Sequence, residues 1–183
     1  MKYIIFFMTI SLLFEACIKE ECKINGGQYE FEIPATLSPA KDTFNIGDTI
    51  TIISTFPDEV YERKTDRWYK LENFKFFPGT EVKKIDTFPA LEGLALFETL
   101  VDSSINYSTE TFSGGKLRLK GEFSYDNNQY RLVFRLVMKN SGLYYIEQTV
   151  FPGIAPNQSF KGKCSNLDID AAVVLNDGAD NNI

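Results

Sequence analysis

Leu117-Arg118-Leu119-Lys120-Gly121-Glu122-Phe123-Ser124-Tyr125, Tyr130-Arg131-Leu132-Val133-Phe134-Arg135-Leu136-Val137-Met138 and Leu143-Tyr144-Tyr145-Ile146-Glu147-Gln148-Thr149-Val150-Phe151 are the runs whose periodicity decides the fold. In the first, Leu117, Leu119, Phe123 and Tyr125 hold odd positions, with Arg118, Lys120 and Glu122 between them. In the second, Tyr130, Leu132, Phe134, Leu136 and Met138 hold even positions against Arg131 and Arg135. Alternation by two puts each set on its own face of a strand, whereas a helix repeats about every 3.6 residues. Asp126-Asn127-Asn128-Gln129 and Lys139-Asn140-Ser141-Gly142 have turn chemistry between the runs. The pattern predicts a hairpin with a bulge at Gly121, then a third antiparallel strand carrying Tyr144, Ile146, Gln148 and Val150 on one face.

Working outward, Thr49-Ile50-Thr51-Ile52-Ile53-Ser54-Thr55 is a β-branched run introduced by Gly47-Asp48, and it reads as the centre of a sheet. Tyr29, Phe31 and Ile33 alternate with acids and mark a first strand, which Pro34 ends or interrupts. Leu71 to Phe76 alternates in part and closes at Phe77-Pro78-Gly79-Thr80. Glu81 to Phe88 gives a weaker strand, and Ile169 to Leu175 a last apolar stretch. Leu91 to Val101 fits a short helix or an irregular crossover. Roughly seven to nine strands, turn signals between them and no strong helix predict an all-β fold. The expected form is an immunoglobulin-like antiparallel β-sandwich, with a lipocalin-like β-barrel as the alternative.

The chain opens differently. Lys2 is followed by an apolar run from Ile4 to Phe14, too short for a bilayer-spanning helix of about 20 residues but suited to a removed signal peptide. The run ends at Phe14-Glu15-Ala16-Cys17, which resembles the lipobox of bacterial lipoproteins. Ile18-Lys19-Glu20-Glu21 is similar to the acidic export signal by which Bacteroidetes send lipoproteins to the outer face of the outer membrane. The resemblance implies cleavage before Cys17, lipidation of Cys17 and anchoring in the outer membrane, at the cell surface or on the periplasmic face. It implies a signal peptide 1–16 and a lipidated tether 17–28, while the strand pattern and the polar, acidic end give a single β-domain 29–175 and an acidic flexible tail 176–183. With Cys17 acylated, Cys22 and Cys164 are left as one disulfide pair in an oxidising compartment, the other arrangement being two free thiols.

Charge and composition restrict function. A net charge of -6 opposes binding to nucleic-acid phosphates. Histidine is absent, which excludes the usual Ser/His/Asp and Cys/His nucleophile systems and His-containing zinc sets. Ser38-x-x-Lys41 and Ser113-x-x-Lys116 lack the companion motifs of a Ser-Lys enzyme. Asp58-Glu59, Asp66 and Asp86 offer carboxylates for glycosidase chemistry, but they read as solvated turn residues. Asp168-x-Asp170 and Asn176-Asp177-Gly178-Ala179-Asp180 lack the ligand spacing of a calcium loop. The sequence therefore predicts no catalytic residues, no cofactor and no metal.

Tyr61-Glu62-Arg63-Lys64-Thr65-Asp66-Arg67-Trp68-Tyr69 is the most suggestive surface segment. Aromatics interleaved with arginines are the chemistry of a protein-protein hot spot. Tyr61, Arg63, Arg67, Trp68 and Tyr69 are the candidate partner-binding residues, against the plainer expectation that Trp68 belongs to the core. The expected role is a non-enzymatic accessory or protein-binding domain with an outer-membrane protein partner. A surface module binding a glycan or another small ligand is the alternative.

Overall fold

The computed structural model describes residues 29–152 and 169–178. Its strands are β1 (Tyr29–Ser38), β2 (Thr49–Pro57), β3 (Glu59–Glu62), β4 (Arg67–Lys70), β5 (Phe76–Lys84), β6 (Leu91–Glu92) and β7 (Phe97–Val101). They continue as β8 (Tyr107–Thr111), β9 (Leu117–Gly121), β10 (Ser124–Asp126), β11 (Gln129–Met138), β12 (Tyr144–Pro152) and β13 (Ile169–Leu175). One sheet runs β10-β11-β2-β1-β3-β4, with β7 added to β11 and β13 to β1; the other runs β12-β5-β9-β8, with β6 on β5. The fold is an all-β, two-sheet sandwich. Among the described residues the sheets do not close into a barrel.

The alternating positions supply the core. On β11, Tyr130, Leu132, Phe134, Leu136 and Met138 are buried, as are Ile50, Ile52 and Phe56 on β2 and Tyr29, Phe31, Ile33 and Leu37 on β1. Phe76, Val82, Leu119 and Val150 face them from the other sheet. Near the start of β1 the filling is aromatic. Phe56 lies 5.0 Å from Tyr130 and 5.4 Å from Phe123, and Phe76 lies 5.1 Å from Phe74, between ring centroids. The Tyr130 hydroxyl donates to the Leu71 carbonyl and accepts from the Phe74 N–H, so its burial leaves no polar atom unsatisfied.

The strands of the decisive runs form, but their partners differ from expectation. Only Ser124–Asp126 pairs with β11; Leu117–Gly121 belongs to the opposite sheet, between β5 and β8. The chain crosses between sheets after Gly121, which is therefore no bulge. A Cβ there would stand 1.7 Å from the Asn106 carbonyl oxygen, so only glycine permits this backbone contact. β12 likewise leaves β11 and pairs with β5 from Tyr144↔Lys84 to Pro152↔Phe76. Pro34 and Pro78 lie within β1 and β5 instead of ending them. The segment from Leu91 becomes a short strand, a single 3-10 turn at Leu94–Leu96 and the strand β7.

The expected Cys22–Cys164 disulfide is corrected: among the described residues no disulfide is found, and Cys17, Cys22 and Cys164 lie outside them. The first and last described strands are fastened together by the backbone. β1 and β13 pair in parallel from Tyr29↔Ile169 to Ala35↔Leu175. Asn176 continues this closure by accepting the Leu37 N–H on its side-chain oxygen at 2.9 Å. Asn176–Gly178, expected as free tail, thus form a turn against β1. The signal peptide, tether and residues 179–183 lie outside the described residues.

Candidate functional site

β3 and β4 form a hairpin at the edge of the larger sheet. Its register pairs Glu59 with Lys70, Val60 with Tyr69, Tyr61 with Trp68 and Glu62 with Arg67. Because neighbours along a strand point to opposite faces, Tyr61 and Trp68 share the outer face while Val60, Glu62, Arg67 and Tyr69 share the other. Val60 is buried, and Tyr69 packs edge-on against Tyr29 at 5.7 Å and Phe31 at 6.0 Å. These inward contacts hold the hairpin on β1.

Trp68 is outside the core, 62% exposed. Its ring lies 5.5 Å from Tyr61, tilted by 56°. The Tyr61 hydroxyl donates to Asp66 at 2.8 Å, and that bond to a carboxylate raises the phenol above its ordinary value, with burial adding to it. Arg63 is held on the same outer face by Glu30 at 2.8 Å and Glu32 at 3.2 Å. Hydrogen bonding to Glu30 raises its guanidinium pKa further. Arg67 is exposed and has no ion-pair partner among the described residues, but it does not share the face of Trp68.

Of the five candidate residues, the structure therefore brings Tyr61, Trp68 and Arg63 together on one surface. Tyr69 turns inward, and Arg67 stands at the rim.

The turn between the strands is built on Glu62, which is 0% exposed. Its Oε1 accepts the N–H groups of Glu30 at 2.7 Å and Lys64 at 3.1 Å, and its Oε2 accepts the Thr65 N–H at 2.7 Å and the Thr65 hydroxyl. Burial pushes the carboxyl pKa up. The bonds from Glu30, Thr65 and Lys64 outweigh it and hold the net value below the ordinary one. Sequence reasoning missed this residue because an acid between charged neighbours reads as solvated; the in-phase Val60 was the signal that position 62 also faces inward.

Asp58 is a second correction. It was expected in a wet turn, yet it is buried, accepting from the Tyr125 hydroxyl at 2.9 Å with Lys70 at 3.7 Å. It has a structural partner set in Tyr125 and Lys70. Among the described residues no group of three or more metal-capable side chains converges.

At the opposite end of the sandwich, where β1 finishes and β12 begins, the two sheets separate around a cavity of about 700 Å³. Leu37, Ile50, Ile52, Ile146, Val173 and Leu175 form much of its wall, and Gln148 joins them from β12.

No protein-family model matches the chain, and no curated protein sequence matches it. The second type II cohesin module from the cellulosomal adaptor ScaA scaffoldin of Acetivibrio cellulolyticus resembles it with a TM-score of 0.33 at 9% identity, over 78% of this chain and 92% of that one. A mutant type II Cohesin-X-Dockerin complex from Acetivibrio cellulolyticus contains a chain with a TM-score of 0.32 at 12% identity, over 79% and 95%. Likeness this distant assigns the chain neither a fold family nor a role.

Proposed function

We propose that the chain is an outer-membrane lipoprotein whose immunoglobulin-like domain is a non-enzymatic module that binds another envelope protein. The observation that carries the binding role is Trp68, exposed on an edge strand and set against Tyr61 beside the Arg63–Glu30–Glu32 cluster. A large aromatic costs little conformational entropy to immobilise. Surrounded by mixed charge, it is the anchor that protein interfaces concentrate on. A free sheet edge adds unpaired backbone groups for a partner strand.

Placement supports the same reading. The hairpin turn lies beside the start of β1, where Arg63 N–H donates to the Glu30 carbonyl at 3.1 Å. A chain lipidated at Cys17 enters the domain at this end, and residues 18–28 fully extended reach at most about 40 Å. The aromatic pair would then face the zone occupied by outer-membrane proteins.

Metabolic labelling with a fatty-acid probe tests the anchor. Cys17→Ala should abolish labelling and release the domain from membranes, and full labelling of the variant would refute lipidation. Crosslinking in intact envelopes tests the partner, which Trp68→Ala should lose. A saturable signal on a glycan array with no protein partner would favour the sugar-binding alternative instead.

A further inference from the structure

The cavity between the sheets has a composition that selects its occupant. Its volume of about 700 Å³ falls within the range of sites that enclose one small organic molecule. Ile46 and Leu143, on the two loops at its mouth, are 63% and 56% exposed, so the apolar lining continues to the outer lip. Among the described residues Asp42 is the one charged residue in the lining. The nearby cations are occupied: Lys41 pairs with Asp48 at 2.9 Å, while Lys84 donates to the Ser141 carbonyl at 3.1 Å and lies 3.8 Å from Asp86. A carboxylate or phosphate entering here would lose its hydration and find no unpaired counter-charge among the described residues that line the cavity.

The inner end offers one oriented polar group. Along β12 the inward residues pass from Tyr144 at the mouth through Ile146 to Gln148. There the Gln148 carbonyl oxygen accepts from the buried Thr80 hydroxyl, and Thr80 bonds in turn to the buried Tyr107 hydroxyl. Running the protons from Tyr107 to Thr80 to Gln148 gives each hydroxyl hydrogen an acceptor and fixes the orientation of the amide. With one bond to its oxygen already supplied by Thr80 and the amide orientation fixed, Gln148 has N–H donors to offer the cavity. Even a contact with the Tyr107 hydroxyl takes one and leaves the other.

We infer that this cavity binds a single uncharged, largely apolar small molecule with one hydrogen-bond acceptor, such as a long-chain alcohol, ketone or ester. Its body lies between the sheets and its acceptor on the Gln148 amide. The site is at the opposite end of the sandwich from Trp68 and does not depend on the protein-binding role.

The test is fluorescence titration of the purified full-length chain with the neutral probe N-phenyl-1-naphthylamine, followed by displacement with decanol and with decanoate at neutral pH. One saturable site is expected. Decanol should displace the probe at a concentration about ten-fold lower than decanoate does. Ile146→Trp, which fills the cavity from its wall, should weaken the probe at least about ten-fold with an unchanged circular dichroism spectrum. Gln148→Leu should weaken decanol about five-fold and leave the probe unaffected. Trp68→Ala should change none of these.

Absence of a saturable site, probe binding indifferent to Ile146→Trp, or equal displacement by decanoate would each overturn the inference. So would a gain in probe affinity on deleting residues 179–183, because the chain's own end would then be the occupant.

Discussion

Replacing Glu62 by Gln should loosen the β3–β4 hairpin in a manner that depends on pH. The native carboxylate accepts bonds from Glu30, Lys64 and Thr65, two at each oxygen, while fully buried. Glutamine keeps one acceptor oxygen and turns an NH2 group toward the Thr65 N–H, where donor meets donor. Hydrogen bonds to a charged acceptor contribute about 1.5–3 kcal/mol each, but water can reach the half-exposed Thr65 and offset part of the loss, so the cost should be about 2–3 kcal/mol.

The carboxyl pKa is lower in the folded chain than its ordinary 4.5. Its contribution is therefore complete above that value and disappears as pH falls through the folded one. Urea unfolding of wild type and variant at neutral pH and in an acid series measures this. Trp68, the only tryptophan in the sequence, reports from the same hairpin. The gap should be greatest at neutral pH and narrow below the ordinary glutamate pKa. A difference under about 0.5 kcal/mol at neutral pH, or a gap that widens in acid, would refute the assignment of Glu62 as the turn's hydrogen-bond hub.

Gly121→Ala forces a Cβ into the Asn106 carbonyl 1.7 Å away, so the crossing between sheets must shift. Thermal unfolding should show a loss of at least about 3 kcal/mol, and a near-neutral result would contradict the crossing. Thr80→Val removes the hydroxyl between buried Tyr107 and Gln148 and should cost about 1–3 kcal/mol in urea unfolding by leaving both without that partner.

On the strands with regular alternation the buried face was legible in the sequence, and the identity of the neighbouring strand was not. Tyr130 to Met138 alternate so regularly that burial of the even positions followed from period alone. The same period in Leu117 to Tyr125 concealed a change of sheet, because alternation says which side chains point inward and nothing about the strand alongside. Gly121 was noticed, but its reason is the backbone at Asn106, a contact distant in sequence. At the hairpin the sequence identified the aromatic and charged segment. It could not divide Trp68 from Tyr69 without the register that places Tyr61 opposite the first and Val60 opposite the second. Asp58 was misplaced because its hydrogen-bond donor, Tyr125, lies far along the chain, and Glu62 because an acid among charged neighbours reads as solvated although Lys64 and Thr65, close in sequence, cap it together with the distant Glu30. The cavity was invisible because its walls come from β1, β2, β12 and β13.

The proposed anchor for an envelope protein partner is Trp68 on the outer face of the hairpin. The most direct measurement is quantitative crosslinking and affinity capture from detergent-solubilised envelopes, comparing wild type with Trp68→Ala and Arg67→Ala. Because Trp68 is exposed, its replacement should change folding stability by no more than about 0.5 kcal/mol. Wild type should recover one stoichiometric outer-membrane protein, and Trp68→Ala should reduce its recovery at least about ten-fold. Arg67→Ala, altered on the opposite face, should reduce it less. Equal recovery by wild type and Trp68→Ala, or no specific partner for either, would refute binding through Trp68.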